Sequence, residues 1–373
     1  MSISTTLLLL GYFNLISTML LAEMLTGKLN GLGITYRQYC ESDINSVMEF
    51  YNNNHLPPKK ISYRTAEVLL KANPHGAPLG YIAESEGRII GVALFVPSRM
   101  KFRSVEKTVY HGGPVILPEY RGRKVYSALY SMFLKEIKKR GALTYGTSNT
   151  ERLSRFYLRV GGIHLCDSLE FTYAHRHNLI RMFPPKVRAL INSLLRSSAS
   201  EGRLLHSYHT FYCDSPGSSF EGFLAEAHSM YDIIQLRSVQ MLDWRMSMYS
   251  SKQPRLIICE KKGRIVGYAF VYTRGDVARI DDLLTTDKQA VSCILNRIVS
   301  DTKGSHNKFI IYSTSDPIQQ EMLIAAGFTP NKSRKICISP PEAPDNLVLM
   351  GLSSTDPTTR PSVFMDFFDM YFA

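Results

Sequence analysis

The chain has 373 residues, with 44 Lys and Arg against 32 Asp and Glu, a formal charge of +12. Its length suits two domains at roughly 100–200 residues each. A content of 45% hydrophobic and 11% aromatic residues excludes a disordered or collagen-like chain. The positive excess predicts a surface for something anionic, and on charge alone nucleic acid, membrane and a phosphorylated cofactor all stay open.

Residues 1–22 carry no charge, and Thr6–Ala22 (TLLLLGYFNLISTMLLA) is an apolar run of 17 residues, at the short edge of a membrane span. No basic region precedes it, and Asn14, Ser17 and Thr18 interrupt it. Residues 1–33 therefore read as an N-terminal segment of one of three kinds: a marginal anchor, an uncleaved signal-like stretch, or an extension ahead of a start at Met24. Membrane contact is expected only through residues 6–22, and the rest of the chain reads as cytoplasmic. Six scattered cysteines form no CxxC. They read as reduced thiols, with no zinc ribbon and no metal site expected.

From residue 34 the pattern predicts a strand at Ile34–Tyr39, helices at Asp43–Asn53 and Tyr63–Ala72, and a β-hairpin over 81–96. A strand over Lys107–Leu117 follows, then a turn, a helix at Lys124–Lys139, a strand at Leu143–Gly146, a helix at Glu151–Val160 and strands over 163–174. The hairpin recurs. Tyr81–Val96 reads YIAESEGRIIGVALFV and Ile257–Tyr272 reads IICEKKGRIVGYAFVY, with seven identities at a constant offset of 176 residues. Both copies follow helical-looking segments, Glu41–Asn54 and Ser229–Met246. Both precede a helix that ends in glycine, Phe156–Gly162 and Met322–Phe328. The chain thus divides into two α/β units, 34–190 and 200–340, with a C-terminal tail over 341–373.

The segment Gly113–Arg140 carries the chemistry. An apolar strand end (Val115, Ile116, Leu117) runs through Pro118 into Arg121-Gly122-Arg123-Lys124, and a helix starts there. Such a turn aims backbone N–H groups, a helix dipole and three cations at one point, which makes an anion cradle suited to pyrophosphate. On the basic cluster alone, a solvated turn with surface arginines fits equally well.

The full pattern resembles the GNAT superfamily of N-acetyltransferases. In that family V-x-P-x-x-R-G-x-G-x-G/A joins the fourth strand to the third helix and binds coenzyme A. Ile116-Leu117-Pro118-Glu119-Tyr120-Arg121-Gly122-Arg123 follows it, while Lys124 and Tyr126 stand where small residues are usual. The resemblance covers residues 34–175. It implies tandem acyl-CoA N-acyltransferase folds, each a mixed, mostly antiparallel twisted sheet flanked by helices (an α/β, or α+β, class). By resemblance, acetyl-CoA is the co-substrate, and its site is Ile116, Leu117, Arg121, Gly122, Arg123, Lys124, Val125, Tyr126 and Asn149. The family's tyrosine that protonates the leaving thiolate corresponds, by its spacing to Gly161, to Tyr157, which also reads as a core aromatic. A base for the amine is implied, often a glutamate on the fourth strand. Here that strand reads VEKTVYHGGPVI, and His111 is the candidate base, with a strand histidine bonded to a neighbour as the plain alternative.

The second unit lacks this turn. Its equivalent, ARIDDLLTTDKQAVSCILNRIV (278–299), has no glycine and carries Asp281, Asp282 and Asp287. It reads as a degenerate copy. Asp243-Trp244-Arg245-Met246 holds the only tryptophan, expected as a core or interdomain anchor, with a place in the acceptor pocket as the alternative. The expected function is transfer of an acetyl group to a primary amine on a small molecule or peptide. The alternatives are a tRNA-dependent aminoacyl transferase of the peptidoglycan-bridge type, for which the intact turn leaves little room, and a non-catalytic CoA-binding or scaffold protein. DNA binding has no motif in its favour.

Overall fold

The computed structural model describes residues 33–54, 62–148, 151–159, 162–175, 207–303, 305, 307–339 and 363–365. The first half runs β1 (Ile34–Gln38), α1 (Ile44–Asn54), α2 (Tyr63–Lys71), β2 (Leu79–Ser85), β3 (Arg88–Phe102), β4 (Val105–Ile116), α3 (Val125–Lys139), β5 (Leu143–Ser148), α4 (Glu151–Arg159) and β6 (Ile163–Ala174). The second half repeats this order: β7 (Tyr208–Cys213), α5 (Ser219–Ser229), an added short β8 (Ile233–Gln235), α6 (Val239–Met248), β9 (Arg255–Lys261), β10 (Arg264–Arg274), β11 (Val277–Thr285), α7 (Lys288–Lys303), β12 (Phe309–Thr314), α8 (Pro317–Ala325) and β13 (Thr329–Ser339), followed by β14 (Val363–Phe364).

The repeat read from the hairpins extends to their turns. Glu86 and Gly87 take φ of 51° and 74°, and Lys262 and Gly263 take 53° and 75°. Two successive positive φ values make the turn whose twist matches a right-handed hairpin.

All strands among the described residues join one sheet, with the path β1-β2-β3-β4-β5-β13-β6-β12-β11-β10-β9-β7 and with β8 and β14 attached off it at β3. Most pairs are antiparallel; β4–β5, β11–β12 and β8–β14 are parallel. The middle of the path is an exchange. β13 lies between β5 and β6, and β6 lies between β13 and β12. Each half therefore hands its last strand to the other. Within this exchange Ser168 pairs with Arg334, its own counterpart at the 166-residue offset relating the starts of β6 and β13 (163 and 329). The hydrogen-bond pattern is two-fold symmetric about that pair.

The apolar core crosses between the halves, joining Ile90, Phe95 and Phe133 with Phe220, Trp244 and Tyr268 in one cluster. On one face of the first half, α3 lays Val125, Leu129, Phe133 and Ile137 on the sheet at helical spacing. There Phe95 and Phe133 stack 3.5 Å apart.

One expectation changes. The segment 229–246 is not a single helix: Ile233–Gln235 forms β8, and α6 begins only after Ser238, whose hydroxyl caps the Met241 N–H at 3.1 Å. The reason lies in β3. It outruns β2, so residues 100–102 present a free edge, and the β-branched pair Ile233-Ile234 adds to it. The apolar run over 6–22 lies outside the described residues. Among the described residues no helix is long and apolar enough to cross a membrane.

Candidate active site

The site begins where two neighbouring strands part. β4 and β5 pair in parallel over Val109–Leu143, Tyr110–Thr144 and His111–Tyr145, and the ladder stops there. β4 continues to Ile116 against β3 alone, and β5 continues to Ser148 against β13 alone. A wedge-shaped cleft opens between them. Gly112 sits at its apex with φ of 150°; a Cβ there would lie 2.0 Å from the Leu94 carbonyl oxygen, so only glycine fits.

Beyond the open end of β4 lies the basic turn. Leu117 is buried and bonds back to β3, its N–H donating to the Ile90 carbonyl at 3.0 Å. Arg121 donates from Nε to the Ile116 carbonyl at 3.2 Å, which holds its guanidinium at the strand end. The Arg123 guanidinium lies over the Tyr120 ring at 5.3 Å. Gly122 has φ of 81° and open space around it. Lys124 takes φ of 65° at the N-cap of α3 and makes no side-chain cap. A non-glycine residue in this region costs roughly 1–2 kcal/mol. The turn therefore takes positive φ at both Gly122 and Lys124, the latter standing where the resemblance expects a second glycine. The first N–H groups of α3, at Val125, Tyr126 and Ser127, point out of an uncapped helix start. Arg121, Arg123 and Lys124 are all exposed beside them. These residues suit a diphosphate.

Two tyrosines cover the cleft from the helical face. Tyr157 on α4 is buried, and a Cβ on Gly146 of β5 would lie 2.4 Å from its hydroxyl. Tyr126 on α3 reaches β4, with its hydroxyl 3.8 Å from the corresponding point on Gly113. The two hydroxyls lie near enough to influence each other's ionisation. Burial pushes Tyr126 up to about 12 and Tyr157 well above the usual phenol value, so both are protonated at neutral pH. The Tyr126 ring stacks on Tyr130 (6.2 Å, 14°) and meets Phe156 edge-on (5.1 Å). From the opposite face, the Tyr51 hydroxyl donates to the Gly113 carbonyl at 3.4 Å.

His111 is placed differently from an open base. It is buried on the opposite sheet face from Tyr110, stacked on Tyr145 at 4.4 Å, with Nδ1 3.2 Å from the Tyr145 carbonyl oxygen. Burial lowers its pKa to about 3, so the imidazole is neutral and weakly basic. Asn149 lies outside the described residues. The structure thus brings Ile116, Leu117, Arg121, Gly122, Arg123, Lys124, Val125, Tyr126 and Tyr157 to one cleft and its mouth, and sets His111 beneath the apex.

The second half has the same wedge, since β11 and β12 pair only over Val277–Arg279 and Phe309–Ile311. Its cleft is filled. Tyr312 donates to Gln319, and Gln319 Nε2 donates to the Leu283 carbonyl at 2.8 Å, across the parted strands. The turn is shortened to Thr286 and Asp287, against residues 117–124 in the first half. Asp287 caps α7 through the Gln289 N–H at 2.9 Å and accepts from Lys261 at 2.7 Å and Tyr208 at 2.8 Å. An internal carboxylate therefore occupies the anion position. Asp282 and Asp281 turn inward instead. Asp282 accepts from Arg237, from Arg245 at 2.7 Å and from Tyr268 at 2.7 Å, with both ion-pair partners fully buried. Sequence reading found these acidic residues but not their roles. A Thr-Asp pair directly before a helical run is the cap signal by which Asp287 could have been found.

Residues 44–161, which contain the wedge, the basic turn and Tyr157, match the family model described as Acetyltransferase (GNAT) family. This segment is a GNAT domain. The whole chain is similar in fold to three solved structures, each with a TM-score of 0.56. A conserved protein of unknown function from Enterococcus faecalis V583, described as a probable N-acyltransferase, shares 14% identity over 82% of this chain and 72% of its own. A GCN5-related N-acetyltransferase from Anabaena variabilis ATCC 29413 shares 13% over 83% and 73%. A tandem GNAT protein from the clavulanic acid biosynthesis pathway shares 11% over 83% and 99%. At these identities the likeness is one of fold: two GNAT-like units in tandem, the second with its cleft filled. No curated protein matches the chain.

Proposed function

We propose that the chain is an N-acyltransferase with one working site, in the GNAT domain, that transfers an acetyl group from acetyl-CoA to a primary amine. The observation that carries this reading is the turn 117–124, with its exposed cations and uncapped helix start, set against the shortened turn of the second half, where the Asp287 carboxylate takes the anion position. Arg121, Arg123, Lys124 and the N–H groups at the start of α3 would hold the phosphates of the donor. The strand groups of β4 freed by the parting from β5 are the donors available to the thioester carbonyl, where negative charge develops during acyl transfer.

Tyr157 is protonated and sits over β5, so it can supply a proton to a departing thiolate. In this reading His111 packs the apex and takes no proton from the amine; the amine arrives neutral or loses its proton to water. Tyr126, which spans the cleft, and the buried His111 favour as second reading a CoA-binding protein without turnover.

The test is thiol release from acetyl-CoA with a panel of primary amines. Turnover that disappears in the Arg121→Ala/Arg123→Ala double variant supports transfer. Acetyl-CoA binding without release for any amine supports the second reading. Binding to tRNA that displaces CoA would sink both.

A further inference from the structure

The position of Tyr126 bears on which acyl groups the cleft accepts. Where the resemblance places a small residue, this chain carries a ring reaching from the first turn of α3 to Gly113 on β4. That ring stacks on Tyr130 and meets Phe156 at right angles, with the Tyr157 hydroxyl close by. Beyond it the wall is solid: Tyr130 is 1% exposed and Phe133 is completely covered. Gly113 is also closed from the other face, where Tyr51, itself 1% exposed, donates to its carbonyl. Both faces of the wedge at Gly113 are thus lined by aromatic side chains, the half-buried Tyr126 and Phe156 backed by the buried Tyr130 and Phe133 on one face and the buried Tyr51 on the other.

We propose that Tyr126 is a specificity-determining residue that restricts the donor to short-chain acyl-CoA thioesters by filling, with its ring, the space between β4 and α4 that a longer acyl chain would need. This rests on the reading of the GNAT domain as an acyl-CoA site. It goes beyond that reading in naming the acyl class and the residue that sets it. The ring, rather than the hydroxyl, is the barrier.

The experiment is a pair of dissociation constants, for acetyl-CoA and octanoyl-CoA, measured by calorimetry on the full chain and on Tyr126→Phe, Tyr126→Leu and Tyr126→Ala. The expected result is octanoyl-CoA at least tenfold weaker than acetyl-CoA for the wild type and Tyr126→Phe, with the gap closing to within threefold in Tyr126→Ala or Tyr126→Leu. Tyr126→Leu keeps apolar bulk in the first turn, so it reports even if the alanine variant does not fold. A wild type that binds both equally, or folded small-residue variants that keep the wild-type ratio, overturns the proposal and leaves the CoA reading standing. Failure of every protein to bind either thioester overturns both.

Discussion

The indole Nε1 of Trp244 donates to the backbone carbonyl of Val68 at 2.9 Å, and the two residues lie 176 positions apart. That is the offset relating the two hairpins, so Trp244 touches its own counterpart in the other half. Two equivalent positions meet only near the symmetry axis. The contact of α2 with α6 and the Ser168–Arg334 pair in the sheet therefore mark the axis at two places. Trp244 is 8% exposed, which makes it a joint between the halves rather than part of an open pocket.

Replacing Trp244 tests that joint. Trp244→Ala removes a large buried side chain and strands the Val68 carbonyl, and it should cost about 3–5 kcal/mol in urea unfolding followed by circular dichroism. Trp244→Phe, which keeps most of the volume, should cost about 1–2 kcal/mol. A loss below about 1 kcal/mol for the alanine variant would mean that the halves are held elsewhere.

Asp282 gives a second measure of the interior. Asp282→Asn preserves shape but removes the anion between two fully buried guanidinium groups, Arg237 and Arg245. The expected loss is about 3–5 kcal/mol, the range for breaking one partner of a buried pair. An unchanged denaturation midpoint would contradict the pairing.

The fit between Gly146 and Tyr157 is tight enough to be tested by adding a methyl. A Cβ at Gly146 would lie 2.1 Å from Tyr157 Cζ. Gly146→Ala should cost about 1–3 kcal/mol by overpacking. In a double-mutant cycle with Tyr157→Leu most of that cost should vanish, because the ring that clashes is gone. Additive costs would place the ring elsewhere.

Acid should weaken the fold well above the carboxylate range. Burial depresses His111 to about 3 and His75 and His228 to about 4, against an ordinary value of 6.5. The unfolded chain takes up these protons first. Stability is thus complete above about pH 6.5 and falls as the pH drops toward the folded values, by up to about 1.4 kcal/mol per pH unit for each histidine. Asp43, lowered to about 2 chiefly by its bond from Arg37, contributes only at lower pH, below about 4. Unfolding free energies at pH 7.5, 6 and 5 check this, with a shallower slope expected for His111→Asn. A flat profile over that window would refute it.

The hairpins, α3 and the basic turn were legible in the sequence because local signals made them: paired positive-φ turns, an amphipathic run, and arginines at a strand end. The exchange of β6 and β13 was not, because strand order in a sheet depends on partners more than 150 residues away. Tyr126 was visible as a departure from the family pattern, yet its span across the cleft depends on Gly113 and Tyr157, which local spacing does not reveal. His111 sits at the right height on β4, but the side of the strand it takes follows from the pleat and from Tyr145 stacked on it. Asp281 and Asp282 read only as local acidity in a degenerate turn, since nothing local told that Arg237, Arg245 and Tyr249 would enclose them.

The proposed chemistry requires one working acyl-CoA site per chain, built on the 117–124 turn. Titration calorimetry of the full chain with acetyl-CoA tests it most directly. One molecule should bind per chain, about 100-fold weaker in the Arg121→Ala/Arg123→Ala variant for two lost charge-assisted contacts, and unchanged in Asp287→Ala. Two molecules per chain, or binding that survives the arginine substitutions and falls with Asp287→Ala, would contradict it.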